Sequence, residues 1–284
     1  MGDKLSLRRV FGLLALYARM DLDWLLRDAK LSLLDAANGL IACLSSLSGV
    51  FLLAWRFGGV GGLSPWQILF MLGFTATVAG LCMVFFGSNN VAHISRRIGR
   101  GQLDHMLLQP LPLWLQLIAE GFLPFSGCPR LLVGLGLVLW SLRGLELSPG
   151  WFWWLSLAGY LACAVLCLVG LSYLWSALAF RWPVAFEEIS SVVIDEICGP
   201  LSQYPLSILP PALLWPLVSI LPAGLLAWFP SCILLGRPPL GLPELYPLFF
   251  TLGLWALAIF TFRKGLLYYV HYGSNRYTQG GHRN

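Results

Sequence analysis

The side chains best placed for chemistry in this sequence are charges set where charge is unfavourable. Asp195 and Glu196 fall in 186–208, an otherwise apolar segment that also carries Glu187 and Glu188. An acidic group at bilayer depth costs about 2.5–3.5 kcal/mol on insertion scales and normally faces a pathway or a partner. One reading makes Asp195 and Glu196 the lining of a translocation route for cationic or amphipathic cargo, with Tyr204 as an aromatic neighbour. The other makes them interhelical partners, or groups near the aqueous boundary where the cost falls. Asp35 and Asn38, one turn apart in the apolar run 31–55, either serve the same route or join helices by hydrogen bonds.

Other chemistries are missing. There is no GxxxxGK[ST] loop to cradle nucleotide phosphates, no GxSxG, no HExxH and no His/Cys pairing at metal-ligand spacing. His93 and His105 sit in one polar loop and His271 and His282 in the C-terminal tail, where solvation is the simpler role. Seven cysteines lie in or beside apolar segments; Cys163 and Cys167 share a helix face, but no CxxC is present, which points to buried packing. An enzyme is disfavoured, and no metal or cofactor is expected in this chain. A lipid-processing membrane enzyme would need a convergent His/Asp/Glu cluster at one interface, and a non-transporting scaffold would need no energy source.

The elements that hold these residues follow from composition. Of 284 residues 58% are hydrophobic and 11% charged, against about 25% charged in soluble proteins. No soluble core hides that much apolar surface, so the solvent for most of the chain is lipid. The net charge of +5 belongs to basic residues flanking apolar runs, as at a cytosolic membrane face. There is no basic stripe with interleaved aromatics outside the bilayer, so nucleic acid is not an expected partner.

Residues 1–30 mix Leu5, Val10, Phe11 and Leu14 with Arg8, Arg9, Arg19, Asp21 and Arg27, which suits a helix lying in the membrane interface. The first apolar run starts too late for a cleavable signal peptide. Spans are expected at 31–55, 66–86, 123–142, 151–180 and 245–262, each near the roughly 20 residues that cross a ~30 Å hydrocarbon core. Arg130 lies near one end of the third, where its stem can snorkel. Trp151, Trp153 and Trp154 suit an aromatic belt. Gly134, Gly136, Gly159 and Gly170 are expected to be close-packing sites.

Between 180 and 245 two arrangements are open. Either 186–208 crosses, or it stays on the cytosolic side and 210–235 crosses. The second stretch carries Pro210, Pro211, Pro216, Pro222 and Pro230, which suits broken or re-entrant helices better than one straight span. Both give six crossings. With both termini inside, every Lys and Arg is cytosolic except Arg56, Arg143 and Arg237, and Arg130 sits at the inner boundary.

The longest polar interruption is the elbow 87–112, GSNNVAHISRRIGRGQLDHMLLQPLP, and 113–122 is a second short amphipathic piece. In the elbow Arg96, Arg97 and Arg100 cluster, while Ile94, Ile98, Leu103, Leu107 and Leu108 recur at three- and four-residue steps, broken by Gly99 and Gly101 and stopped by Pro110 and Pro112. This predicts a short amphipathic helix at the cytosolic face with its apolar side offered to a partner.

Gly101, Leu103, Asp104, Leu107, Leu108, Pro110 and Leu111 resemble the "G-x-L-D-x-x-L-L-x-P-L" coupling segment of small six-span ABC-2-type exporter permeases. Tyr204-Pro205-Leu206, Pro222 and Phe229-Pro230 resemble the "yPl…P…yP" extracellular region of the same branch. Order, length and topology agree over essentially the whole chain, although Asp195 has no counterpart in that pattern. The resemblance implies an all-α integral membrane protein: six transmembrane helices, an N-terminal interfacial helix (1–30), spans at 31–86, a cytosolic coupling loop (87–122), spans at 123–180, span five and extracellular re-entrant helices (186–235), span six (245–262) and a cytosolic tail (263–284). It implies the permease subunit of an ATP-driven exporter in a bacterial inner membrane. It works with a second permease, identical or related, and with two separate ATPase subunits that hold ATP and Mg2+. It also favours 186–208 as the fifth crossing. In the coupling role Arg96, Arg97 and Arg100 would anchor on anionic lipid or pair with acids of the ATPase, Gly101 would allow a tight bend, Asp104 would cap or dock, and Pro110 would end the helix.

Overall fold

The computed structural model describes residues 7–87 and 94–273. His93, the terminal Asp3 and Lys4, and Arg276, His282 and Arg283 of the tail lie outside the described residues. Within them the chain is helical, with five helices long and apolar enough to cross a membrane: α2 (Ala29–Arg56), α3 (Pro65–Phe86), α7 (Pro124–Gly144), the continuous run Trp151–Phe180 beginning with α8 (Trp151–Ser176), and α15 (Tyr246–Tyr272). Each coincides with an expected span. α15 runs ten residues past the expected end, carrying Arg263 and Lys264 within the helix. At 1.5 Å per residue it is about 40 Å long, more than the hydrocarbon core needs.

α3 is the axis of the bundle. It has no charged residue and no apolar stripe, being apolar all round, and it is buried on nearly every side from Ile68 to Val84. Ser64 and Gln67 close a reciprocal capping box at its start. α7 packs antiparallel to it through alternating glycines. A Cβ added at Gly73 would come within 2.7 Å of Val138 N, one at Gly80 within 2.5 Å of Leu131 Cα, and one at Gly127 within 2.7 Å of Val84 N; Gly134 is as tight against Thr77. These pairs fix one register from end to end, which places Arg130 opposite Leu81. Gly170 approaches Leu254, but a Cβ at Gly136 or Gly159 would meet nothing, so only Gly134 and Gly170 of the expected close-packing glycines are packed.

α1 (Leu7–Arg27) leaves Phe11, Leu16, Met20, Trp24 and Leu26 exposed and buries Asp21. Asp21 Oδ2 accepts from Phe125 N (2.9 Å) and Ser126 N (3.1 Å), and Oδ1 from the Ser126 hydroxyl. α7 begins with Leu123 at its cap position, which has no side-chain oxygen, so a residue of α1 supplies the cap.

α15 runs parallel to α8. Tyr160 OH reaches Glu244 O, Trp255 Nε1 donates to Leu166 O, and Phe180 stacks on Phe262 and Tyr269. Two successive parallel helices require the chain to travel back between them. It does so beside α3: Ser190 lies with Ser95 at the elbow, Ser202 O accepts from Thr75 Oγ1 (3.3 Å), and Ser207 Oγ donates to Gly61 O (2.6 Å) in the glycine-rich loop at the far end. This return segment consists of α9 (Ile189–Ser191), a π-helical turn (Val192–Cys198) and α10 (Gly199–Leu201), then a 3-10 turn at Leu206–Ile208.

Four short helices follow: α11 (Pro211–Leu214), α12 (Pro216–Ser219), α13 (Ala223–Leu226) and α14 (Trp228–Leu234). They dip to Leu226, which packs with Cys167, Leu171 and Cys198, and return to Arg237, whose guanidinium donates to Gly62 O (2.7 Å). Pro205 precedes the 3-10 turn, Pro222 precedes α13, and Pro230 is buried in α14. The prolines interrupt the backbone ladder often enough to produce this descent and return.

Candidate coupling elbow and cavity

The elbow forms two short helices, α4 (Ile94–Gly99) and α5 (Leu103–Leu107), hinged at Gly101, whose φ of 68° is the left-handed conformation that glycine adopts freely. The apolar stripe does not face outward as expected. Ile94, Ile98, Leu103 and Met106 are buried against Phe180, Phe262 and Tyr269. Leu103 is fully buried, so its expected exposure is wrong; once Gly101 turns the chain, its face belongs to the core of this chain. The outward face consists of Asp104, His105, Leu107, Leu108 and Pro110, with Leu108 84% exposed. Asp104 lies in the first turn of α5 and makes no cap, and α5 ends at Leu107, ahead of Pro110.

α6 (Leu113–Glu120) braces the far side of the elbow. Buried Gln116 donates through Nε2 to Met106 O (2.9 Å) and Leu111 O (2.7 Å), holding the turn that contains Pro110.

The arginines are paired within the chain. Arg96 grips Glu188 bidentately, Nε to Oε1 at 2.8 Å and Nη2 to Oε2 at 2.5 Å. Arg100 Nε donates to Glu187 Oε1 at 3.1 Å, and Arg97 Nη2 to Glu120 Oε2 at 3.2 Å. The hydrogen bond to Glu188 is the main cause of a raised Arg96 pKa, with burial opposing it and the charges of Glu188, Glu187 and Asp195 adding to it. Tyr17 of α1 stands near the Arg97–Glu120 pair; partial burial, then Glu120, push its phenol up, and Arg97 opposes them.

Under these ion pairs lies a buried hydroxyl chain absent from the sequence reading. Ser95 Oγ donates to Glu187 O (2.8 Å) and accepts from Ser190 N (3.3 Å); Ser190 Oγ meets Ser176 Oγ (2.6 Å), which donates to Ser172 O (2.5 Å). Ser95, Ser172, Ser176 and Ser190 are all fully buried. Gly99 completes the joint, since a Cβ there would come within 2.7 Å of Pro183 O and 2.9 Å of Glu187 Cβ. Ser172 and Ser176 stand one turn apart on α8, but Ser95 and Ser190 come from other elements, so only the fold brings the set together.

A cavity of about 500 Å³ opens beside α3 between the elbow and mid-bundle, with Thr75, Arg130, Asp195, Ser202 and Gln203 among its polar lining. Of the residues expected on a substrate path only Asp195 lines it. Glu196 is exposed on the next position, Tyr204 is half-exposed outside the lining, and Asp35 and Asn38 lie on an exposed face of α2, which reaches the cavity through Ala42 and Ser46 instead. Among the described residues no group of three His, Cys, Asp or Glu side chains is placed to hold a metal.

Comparison with curated proteins and with solved structures finds no match. A family model described as ABC-2 family transporter protein matches residues 40–278, from within α2 to beyond the end of α15, with the elbow, the return segment and the proline-rich dip inside that range. The chain, a multi-pass helical membrane protein, therefore belongs to the ABC-2 family of transporter proteins.

Proposed function

We propose that this chain is the permease subunit of an ATP-binding-cassette exporter, driven from its elbow end by separate ATPase subunits that hold ATP and Mg2+. The observation that carries the proposal is the two-faced elbow. Leu107, Leu108 and Asp104 point out of the molecule, while the other side is fastened by ion pairs and buried serines to the segment that lines the cavity. A surface built this way has something to receive on one side and something to move on the other. The chain has no phosphate-binding loop of its own, so the work must come from a partner.

In this reading the elbow end faces the cytosol, both termini are cytoplasmic and the membrane is a bacterial inner membrane. Residues 186–208 make the fifth crossing, short because a π-helical turn and flanking turns replace a regular span. The dip at 210–235 is re-entrant from the outer face. A second permease, identical or related, covers α2. That helix leaves Leu33, Leu34 and Ile41 exposed around Asp35 and Asn38, and a carboxylate turned to lipid is unfavourable unless a partner or water meets it.

The test is reconstitution with the cognate ATPase in proteoliposomes. Leu108→Asp is expected to retain insertion and folding but to lose ATP-driven transport. Normal transport by that variant would remove the elbow from the mechanism.

A further inference from the structure

Asp195 and Glu196 are neighbours on the return segment, and of the two only Asp195 lines the cavity. Both stand in the π-helical turn Val192–Cys198, which runs without a break from α9 into α10. The backbone ladder changes step there. Val192 N donates to Glu188 O at 3.0 Å, four residues back; Gly199 N donates to Ile194 O, five back; Ser202 N donates to Cys198 O at 3.0 Å, four back again. A five-residue step holds one residue more than an α turn. Both ends of the segment are fastened, Ser190 N to Ser95 Oγ and Ser202 O to Thr75 Oγ1. The extra residue therefore cannot leave the segment, but the wide turn that holds it can move along it. Each residue the turn passes swings by about 100° and shifts by about 1.5 Å.

Two features act on the position of the turn. Pro200 has no N–H, and in a regular α-helix its ring would meet the carbonyl of Glu196, so it favours a wide turn immediately before it. Trp175 packs against the cluster of Cys167, Val193 and Cys198, and its buried Nε1–H has no hydrogen-bond partner among the described residues. A buried donor left unmet raises the free energy of the observed register and narrows the gap to its neighbours. The next register toward the elbow has a specific result. Each residue passed takes the place of the one before it, so Glu196 arrives where Asp195 stood. Asp195 has an interaction within the chain in its present place. The exchange sets one carboxylate for another, keeping the charge of the wall and lengthening its reach by one methylene.

We propose that this wide turn is a sliding register: driving the elbow moves it toward Ser190, and Glu196 replaces Asp195 in the cavity wall while both ends of the segment stay anchored. This supplies the moving part of the permease proposed above and rests on that reading. Its test uses no ATPase, so the two fail separately.

In nanodiscs, Asp195→Cys and Glu196→Cys are labelled one at a time with a membrane-impermeant methanethiosulfonate. The background carries Cys82→Ser and Cys128→Ser, because Cys82 also lines the cavity and Cys128 is exposed. Asp195→Cys is expected to react about tenfold faster, since position 196 reaches the cavity only in a minor register. Pro200→Ala unpins the turn and should raise the rate at Glu196→Cys at least about fivefold. Trp175→Phe removes the unmet donor and should slow Glu196→Cys further, which keeps the test open if the proline variant misfolds. Deletion of Ile197 takes out the extra residue, after which Pro200→Ala should no longer change the ratio of the two rates. Equal labelling of both positions overturns the proposal. So does a ratio that neither Pro200→Ala nor Trp175→Phe moves, or a Pro200→Ala effect that persists in the deletion variant.

Discussion

Arg96 and Glu188, ninety-two positions apart, form a bidentate ion pair that fastens the first helix of the elbow to the start of the return segment. Both partners are partly exposed, at 25% and 45% of their side chains, so the pair stabilises the fold by no more than about 1 kcal/mol. Its consequence is mechanical. The same few residues carry Arg100–Glu187 and Ser95–Ser190, and seven residues beyond Glu188 stands Asp195 in the cavity wall.

Charge reversal tests that joint. Arg96→Glu or Glu188→Arg alone should lower ATP-driven transport at least about fivefold, on the scale of a typical coupling free energy, with little change in thermal unfolding. Combining the two should restore transport. Failure of the double variant to recover, with each single variant impaired, would assign the residues separate roles.

A second contrast lies within the elbow. Leu103→Asp puts a charge into a fully buried site beside Phe180 and Phe262 and should destabilise the protein by several kcal/mol. Leu108→Asp, at the exposed tip, should leave the unfolding temperature within about 2 °C, an expectation for surface substitutions within ±0.5 kcal/mol. Equal destabilisation by both would contradict the inward-facing stripe.

The glycine ladder between α3 and α7 gives a third. Gly134→Ala forces a methyl group onto the backbone of Thr77 and should cost about 1–3 kcal/mol. Gly136→Ala meets nothing and should be neutral or stabilising by up to about 1 kcal/mol. Intrinsic tryptophan fluorescence during thermal unfolding in detergent separates the two.

Asp21 supplies the fourth. Asp21→Ala removes the acceptor for Phe125 N, Ser126 N and the Ser126 hydroxyl and should cost about 1–2 kcal/mol, as loss of a helix cap does. Increased hydrogen exchange at the start of α7 is the local signature; exchange unchanged there would mean that Asp21 does not hold α1 to α7.

Much of this was legible in the sequence because lipid imposes a simple rule. Charge-free runs such as 66–86 and 151–180 admit one reading, and the prolines of 210–235 mark broken helices. The faces were harder to read. Ile94, Ile98 and Leu103 share a period with Leu107 and Leu108, but beyond the turn at Gly101 the inner face of α5 runs through Leu103 and Met106 and leaves Leu107 and Leu108 outward, so one apparent stripe becomes an inner and an outer surface. The partners of Arg96 and Arg100 were present as Glu187 and Glu188, yet ion pairing across more than eighty residues depends on tertiary placement alone. The serine chain and the cross-helix cap by Asp21 leave no local trace. Arg130 reads as a snorkelling cation at a boundary; the register with α3 sets it opposite Leu81 in the cavity wall.

In the proposed mechanism the tip of the elbow receives a push from an ATP-hydrolysing partner. The most direct measurement places a photo-crosslinker at position 108 in membranes that contain the native complex, with position 58 in the glycine-rich loop as control. Crosslinking of an ATP-binding ATPase subunit from 108 and not from 58 is the expected result. An ATPase captured from 58 instead, or none captured from 108 in a complex that transports, would contradict it.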